Sequence, residues 1–307
     1  MGSGNCFYNG TMRFFNIQDI KLRESDLMHL FGGYSLFIKK FPNDLIPTYG
    51  VYGSLIREYK FKESTGVDLM VFYENNQESA FRRTDSILAK DQQQLVFANC
   101  YHLPFDQKNY KKNIDNHLLI IHSFNNISDS YTVSDDNGTY SIAKKDLAIA
   151  RKTTNDGEFK TIQFNKIDSL KQLDVNSKLK SIIPIQAAIF LNNSLNEIKE
   201  MKEIIIKINN LESIYKKLAL KSIYNTISHP NGPVITRKLM ATSFNHKVYI
   251  DNYMKLSSQW KALSNNLIRL ASDIVDIEDI IENLDEIYKN EKSFNEEVAQ
   301  TKNLILN

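Results

Sequence analysis

The chain is poor in cysteine: two thiols, Cys6 and Cys100, stand among 307 residues. So few exclude a secreted disulfide framework and point to a reducing, cytoplasmic setting. They also leave no cysteine/histidine cluster with zinc-site spacing. Charge of one sign is equally scarce, since 38 basic residues meet 36 acidic ones for a formal net charge of +2. No strong field therefore draws the chain to nucleic acid or to an anionic membrane. Long apolar runs are missing too. A membrane span needs roughly 20 such residues, whereas Ile182 to Leu191 is short and carries Pro184 and Gln186. Glycine forms neither a phosphate-cradling loop nor a dinucleotide fingerprint, Gly32-Gly33 being a bare pair. Met1-Gly2-Ser3-Gly4 lacks the charged-then-apolar character of a signal segment and reads as a cloning remnant, which would set Cys6 within a residue or two of the native start. What is present is an ordinary globular composition, 42% hydrophobic and 24% charged, at a length that suits about two domains.

Chemistry begins at Asn5-Cys6-Phe7-Tyr8-Asn9-Gly10, where a thiol precedes an apolar, helix-capable run from Met12 to Ile20. Unpaired N–H groups at a helix start stabilise a thiolate, and the thiolate is the nucleophile. A lone cysteine in such a place is as readily an inert core residue, so the assignment needs a base and an acid from elsewhere. Further along, Lys21 to Leu27 reads as a turn entering a helix capped by Ser25 and ended by Phe31-Gly32-Gly33. Tyr34 to Ile38 predicts a strand, closed by Pro42-Asn43-Asp44. Val51 to Tyr59 predicts a helix with Leu55, Ile56 and Tyr59 inward. Val67 to Tyr73 reads as a strand, Glu78 to Leu88 as a helix, and Gln94 onward as an apolar strand broken at Leu103-Pro104-Phe105.

The base and acid come next. Asp115-Asn116-His117-Leu118-Leu119-Ile120-Ile121-His122 predicts a strand with a histidine near each end, and Tyr131 to Asp135 its antiparallel partner. Asp136-Asn137-Gly138 supplies the following turn, before a helix over Lys144 to Lys152. Adjacent strands can set His117 beside Asp135, an imidazole with a carboxylate to orient it. His117 and His122 stand five residues apart and so face opposite sides of a regular strand. His117 is the one favoured toward the thiol. His29, His102, His229 and His246 read as surface or satisfied core residues.

From Lys166 onward glycine nearly vanishes and helical spacing takes over. Ile198, Met201, Ile205 and Ile208 form one stripe. Leu256, Trp260, Leu263, Leu267, Leu270, Ile274, Ile277, Ile281, Leu284 and Tyr288 form a longer seam, expected to be interrupted somewhere, with Trp260 a core anchor. His229-Pro230-Asn231-Gly232-Pro233 breaks the helical region in two. Lysines crowd Lys199 to Lys221 and Lys144-Lys145, either a solvated face or a docking surface for an acidic partner.

Asn5-Cys6, Phe31-Gly32-Gly33, Leu103-Pro104-Phe105, Asn116 to Ile121 and Val133-Ser134-Asp135, in that order, resemble the butirosin biosynthesis protein H N-terminal family. That family looks related to papain-like thiol enzymes, near the bacteriocin-processing peptidases. Tyr253, Gln259-Trp260-Lys261 and Glu291 resemble its helical companion region. The chain departs from the family pattern at Asn5, where a histidine is usual, and at Asn99, where an aspartate is usual. Gln92-Gln93-Gln94 stands in place of a glycine-proline entry, and the glycine-rich segment is shortened to Phe31-Gly32-Gly33. The resemblance implies an α+β architecture: a papain-like domain with an antiparallel sheet over 1–160, then an all-α helical domain over 161–307. It implies Cys6 as nucleophile, His117 as base and Asp135 as orienter, with an acyl thioester on the phosphopantetheine arm of an acyl or peptidyl carrier protein as donor. An amine would be the acceptor, with no directly bound cofactor and no metal, in natural-product assembly. No residue precedes Cys6 at the spacing of the papain-like oxyanion glutamine, so the Cys6 N–H with Asn5 or Asn99 is expected to polarise the carbonyl. Two other classes stay open: a thiol peptidase or amidase using water, and a non-catalytic scaffold whose helices bind partners. An N-terminal-nucleophile hydrolase would additionally require cleavage that exposes Cys6.

Overall fold

Asn5 has extended backbone, and its side-chain oxygen accepts hydrogen bonds from the N–H groups of Phe7 and Tyr8, so a helix begins at Cys6. The computed structural model describes residues 5–42, 46–154, 158–301 and 304–306. The expected turn at Asn43-Asp44 and the segment Met1 to Gly4 lie outside them. In chain order the elements are α1 (Cys6–Ile17), α2 (Glu24–Leu30), β1 (Tyr34–Phe41), β2 (Thr48–Ser54), α3 (Glu58–Thr65), β3 (Asp68–Phe72), α4 (Gln77–Leu88), β4 (Gln94–Ala98), β5 (His117–Asn125), β6 (Ser130–Ser134), β7 (Thr139–Ala143), α5 (Lys144–Lys152) and β8 (Thr161–Asn165). The helices α6 (Asp168–Lys171), α7 (Val175–Ile189), α8 (Asn196–Asn209), α9 (Ser213–Ile227), α10 (Pro233–Ser243), α11 (Lys247–Leu270) and α12 (Ile277–Gln300) complete the chain. The fold is α+β, with antiparallel sheets and a C-terminal run of helices. Among the described residues no helix is long and apolar enough to cross a membrane.

Packing divides the chain into residues 1–24 with 61–172, and residues 25–60 with 173–307. This differs from a single cut after residue 160. β8, which sequence reading did not find, is an inner strand of the first unit's sheet, whose order is β3-β8-β4-β5-β6-β7. One face of that sheet carries Val96, Leu119, Ile121, Tyr131 and Val133 against Phe81, Leu147 and Ala150. Phe14 and Phe15 of α1 meet Phe61 and Phe164 ring to ring. Burying such side chains is the main favourable contribution to folding.

The second unit holds the β1–β2 hairpin. Val51 to Ser54 is therefore strand, not the expected helix, and Leu55 and Tyr59 are exposed rather than inward. Thr48, Tyr49, Val51 and Tyr52 suit a pleated surface, and a β-carbon on Gly53 would collide with Pro233 and Thr236. Ser25 lies inside α2 instead of capping it, while Gly32, at φ 63°, ends that helix as expected. Gly232 lies against the carbonyls of Thr226 and Ile227, and the expected break separates α9 from α10. The long seam runs true along α11, where Trp260 is fully buried, then shifts register after Asp273 turns the chain at φ 53°. In α12 the buried positions are Ile280, Leu284, Ile287, Glu291, Asn295 and Val298, and Ile274 is exposed. His29 is a satisfied core residue, bonded to Gln186 at 2.7 Å and Ser243 at 2.9 Å. Several lysines of the expected basic face are already engaged, Lys202 by Asp285 and Lys216 by Asp273. Lys199 and Lys144 lie over aromatic rings.

Candidate active site

Cys6 holds the first helical position of α1 and is exposed. Asn5 fixes it there by accepting from the Phe7 and Tyr8 N–H groups at 2.9 and 3.3 Å. One turn on, Gly10 faces Leu118 so closely that a β-carbon would displace the leucine, which brings α1 against the start of β5.

His117 is the first residue of β5. It follows Asn116, whose φ is 57°, and pairs with Ala98 of β4. Ile120 lies opposite Ser134, so Asp135 stands one step beyond the last paired residue of β6 and diagonal to His117. The His117 Nε2 is 3.2 Å from Asp135 Oδ2. The other carboxylate oxygen, Oδ1, accepts from the N–H groups of Asn137 at 2.8 Å and Gly138 at 3.2 Å. The expected Asp-Asn-Gly turn thus aims the acid. With Nε2 taken, Nδ1 is the ring nitrogen left for a sulfur, and the thiols of Cys100 and Cys6 both lie close enough to the ring to help raise its pKa. His122 reaches the opposite way, to Ser134 Oγ at 2.7 Å.

Burial opposes the imidazolium, yet the Asp135 carboxylate and then the two thiols outweigh it and hold His117 well above its ordinary 6.5. Burial also opposes the Asp135 charge, but His117 and the two turn N–H groups keep it below 3.8. The signs fix a pH window. Stability from the raised histidine is present below 6.5 and is lost as pH climbs through its folded value. Stability from the lowered aspartate is present above 3.8 and is lost as pH falls through its folded value. Asp135→Asn should therefore lower the unfolding midpoint most between pH 3.8 and 6.5, and by less outside that window. Thermal melts across pH check it; a constant difference would contradict the pairing.

Cys100, Asp106 and His117 bring their ligating atoms within 4.8 Å of one another. Cys100 follows β4 two residues past the strand position that pairs with His117, is fully buried, and has its thiol pushed up by desolvation. A shielded thiol with a raised pKa is the poorer nucleophile. Sequence reading missed this neighbour, although the β4–β5 pairing would have found it. It also missed Arg13 of α1, whose guanidinium faces Asp135 and Asp136. A further omission is Glu24, whose carboxylate takes the Asn5 backbone N–H.

The expected oxyanion role of Asn99 does not fit its bonding. Its side-chain nitrogen donates to Asn113 Oδ1 at 2.7 Å and to the Thr153 carbonyl at 3.2 Å, and its oxygen accepts from Tyr101 at 2.9 Å. Both amide hydrogens are spent on the loop. The Asn5 side-chain oxygen is spent on the helix cap. A hollow of about 510 Å³, lined by Gln77, Glu78, Phe81, Arg82, Asp85 and Lys144, includes none of Cys6, His117 and Asp135.

No protein-family model matches this chain, and no curated protein matches its sequence.

Proposed function

We propose that the chain is a cysteine-dependent acyltransferase working through an acyl-Cys6 intermediate. The supporting observation is an exposed thiol at a helix start beside an imidazole that a carboxylate holds by its far nitrogen. His117 in its neutral form takes the Cys6 proton, and the sulfur attacks an acyl thioester carbonyl. The donor C–S bond breaks, and the imidazolium returns the proton to the departing thiolate. An amine then attacks acyl-Cys6, His117 takes the amine proton, and the C–S bond to Cys6 breaks with the proton passing back to sulfur. The products are an amide and free enzyme. Thioester exchange is nearly isoenergetic and amide formation downhill, so each step proceeds without a further energy source.

The carrier-bound donor, the amine acceptor and the natural-product setting rest on the resemblance to the butirosin biosynthesis protein H family, as does the papain-like description of the first unit. Cysteine scarcity supports a cytoplasmic location. Mixing the protein with a carrier-bound acyl thioester and a panel of amines tests the reading by mass spectrometry of products. Amide is the expected product. Carboxylic acid alone would identify a thiol hydrolase, and no turnover with retained carrier binding would identify a scaffold.

A further inference from the structure

We propose that Cys100, Asp106 and His117 form a zinc site which, when filled, withdraws the base from Cys6. The site stands on its own geometry; only its effect on acylation rests on the acyl-transfer reading. The sulfur of Cys100, a carboxylate oxygen of Asp106 and a ring nitrogen of His117 all lie within 4.8 Å of one another, and all three residues are buried. Ligand atoms on a tetrahedral zinc, at roughly 2.0–2.3 Å from the metal, stand about 3.4–3.6 Å apart. Closing on an ion therefore draws each pair in by no more than about 1.4 Å, within reach of side-chain rotation. No sequence spacing announces the set, because its members come from the end of β4, the loop after it and the first residue of β5.

Each ligand is already aimed. His117 Nε2 lies 3.2 Å from Asp135 Oδ2, so Nδ1 carries the lone pair that a metal needs. A carboxylate on the far nitrogen is the usual partner of a metal-bound histidine, and it fixes ring and tautomer. Asp106 is held as well: Oδ1 accepts from the Asn109 N–H at 3.3 Å, and Oδ2 from the Asn109 side-chain nitrogen at 2.9 Å. Each of those oxygens keeps a second lone pair. The Cys100 N–H donates to the Ile114 carbonyl at 2.9 Å, which ties its backbone to the segment leading into β5.

The donor set selects the metal. Sulfur, nitrogen and one carboxylate suit zinc, whereas calcium and magnesium take oxygen. Zinc displaces the Cys100 thiol proton to solvent as the Zn–S bond forms, and Asp106 enters as its anion. Two negative ligands cancel the doubly positive ion, which lowers the cost of burying it. Three protein ligands leave the fourth position to water. The ion reaches the site past Cys6, which is exposed, and His117, the least buried of the three. A second cluster, His117 with Asp135 and Asp136, has no sulfur, and filling it would break the bond between His117 and Asp135. With the Nδ1 lone pair on the metal, His117 no longer accepts the Cys6 proton, and acylation stops.

The experiment titrates the full chain with zinc against a chromophoric chelator, and in parallel follows Cys6 acylation by S-acetyl-N-acetylcysteamine through intact mass. One zinc per chain should bind. Losing an outer partner alone typically weakens a metal site about 10- to 100-fold. Cys100→Ala and Asp106→Asn each remove a ligand, so they should weaken zinc by more than about 100-fold. Cys6→Ala should leave the affinity unchanged. Zinc at about ten times its dissociation constant leaves roughly a tenth of the chain unfilled, so acylation should slow about tenfold. The same zinc should not slow Cys100→Ala, each rate being taken against that variant's own zinc-free rate. An affinity that follows Cys6 in place of Cys100 means binding at the exposed thiol and overturns the proposal. Inhibition that persists in Cys100→Ala overturns it too, as does a chain that binds no zinc. Should Cys100→Ala not fold, Asp106→Asn decides. Absence of a Cys6-dependent adduct without zinc overturns the acyl-transfer reading alone, and the chelator titration still decides the site.

Discussion

Cys6→Ala should abolish the acyl adduct, Cys100→Ala should retain it, and His117→Ala should slow its formation by about 10³- to 10⁴-fold. The three substitutions separate two arrangements that share one imidazole. Both thiols act to raise the His117 pKa, so proximity alone does not choose between them. Exposure does: Cys6 is open to solvent, and Cys100 is fully buried. An acyl carbonyl on a carrier arm must reach the sulfur, and burial moreover raises the Cys100 thiol and lowers its thiolate fraction. Intact-mass analysis after exposure to an acyl thioester reads the result directly. An adduct that survives Cys6→Ala and disappears in Cys100→Ala would reverse the assignment.

The histidine and its acid were legible because their signals are local. An apolar run from Leu118 to Ile121, a second strand ending just before Asp135 and the Asp-Asn-Gly turn after it define two successive hairpins, and hairpin register sets which side chains meet. The thiol was legible because it stands ahead of an apolar, helix-capable run; that Asn5 caps this helix emerged only from the structure. Four features were not legible, each for a different reason. Val51 to Tyr59 has apolar residues at spacings compatible with a helix, and only pairing with β1 makes its first part a strand. Thr161-Ile162-Gln163-Phe164-Asn165 is a short strand beside a helical stretch, and its place between β3 and β4 comes from partners far away in sequence. Glu24 joins the site through a backbone N–H, which no residue type announces. The α12 seam was misplaced because the turn at Asp273 shifts its register to Ile280, Leu284 and Ile287, and the buried stripe then continues through the polar Glu291 and Asn295.

Glu291→Ala should destabilise the second unit by about 3–5 kcal/mol, the loss typical of a buried ion pair broken on one side. Glu291 Oε1 accepts from Arg237 Nε at 2.7 Å and from Trp260 Nε1 at 2.9 Å, while Oε2 accepts from Asn295 at 3.3 Å. Arg237 also donates to the Ser35 carbonyl at 3.1 Å, so one carboxylate holds together residues from β1, α10, α11 and α12. Alanine leaves the guanidinium charged, fully buried and without its counter-ion. The expected loss is thus the cost of an orphaned cation more than the worth of the bond, and a double substitution separates the two. Arg237→Met with Glu291→Leu removes both charges and fills similar volume, so it should recover most of the stability that Glu291→Ala loses. Trp260, the single tryptophan, lies in this cluster and reports unfolding by fluorescence in denaturant. Equal destabilisation by the single and double substitutions would mean that the carboxylate acts through its bonds to Trp260 and Asn295, not by neutralising Arg237.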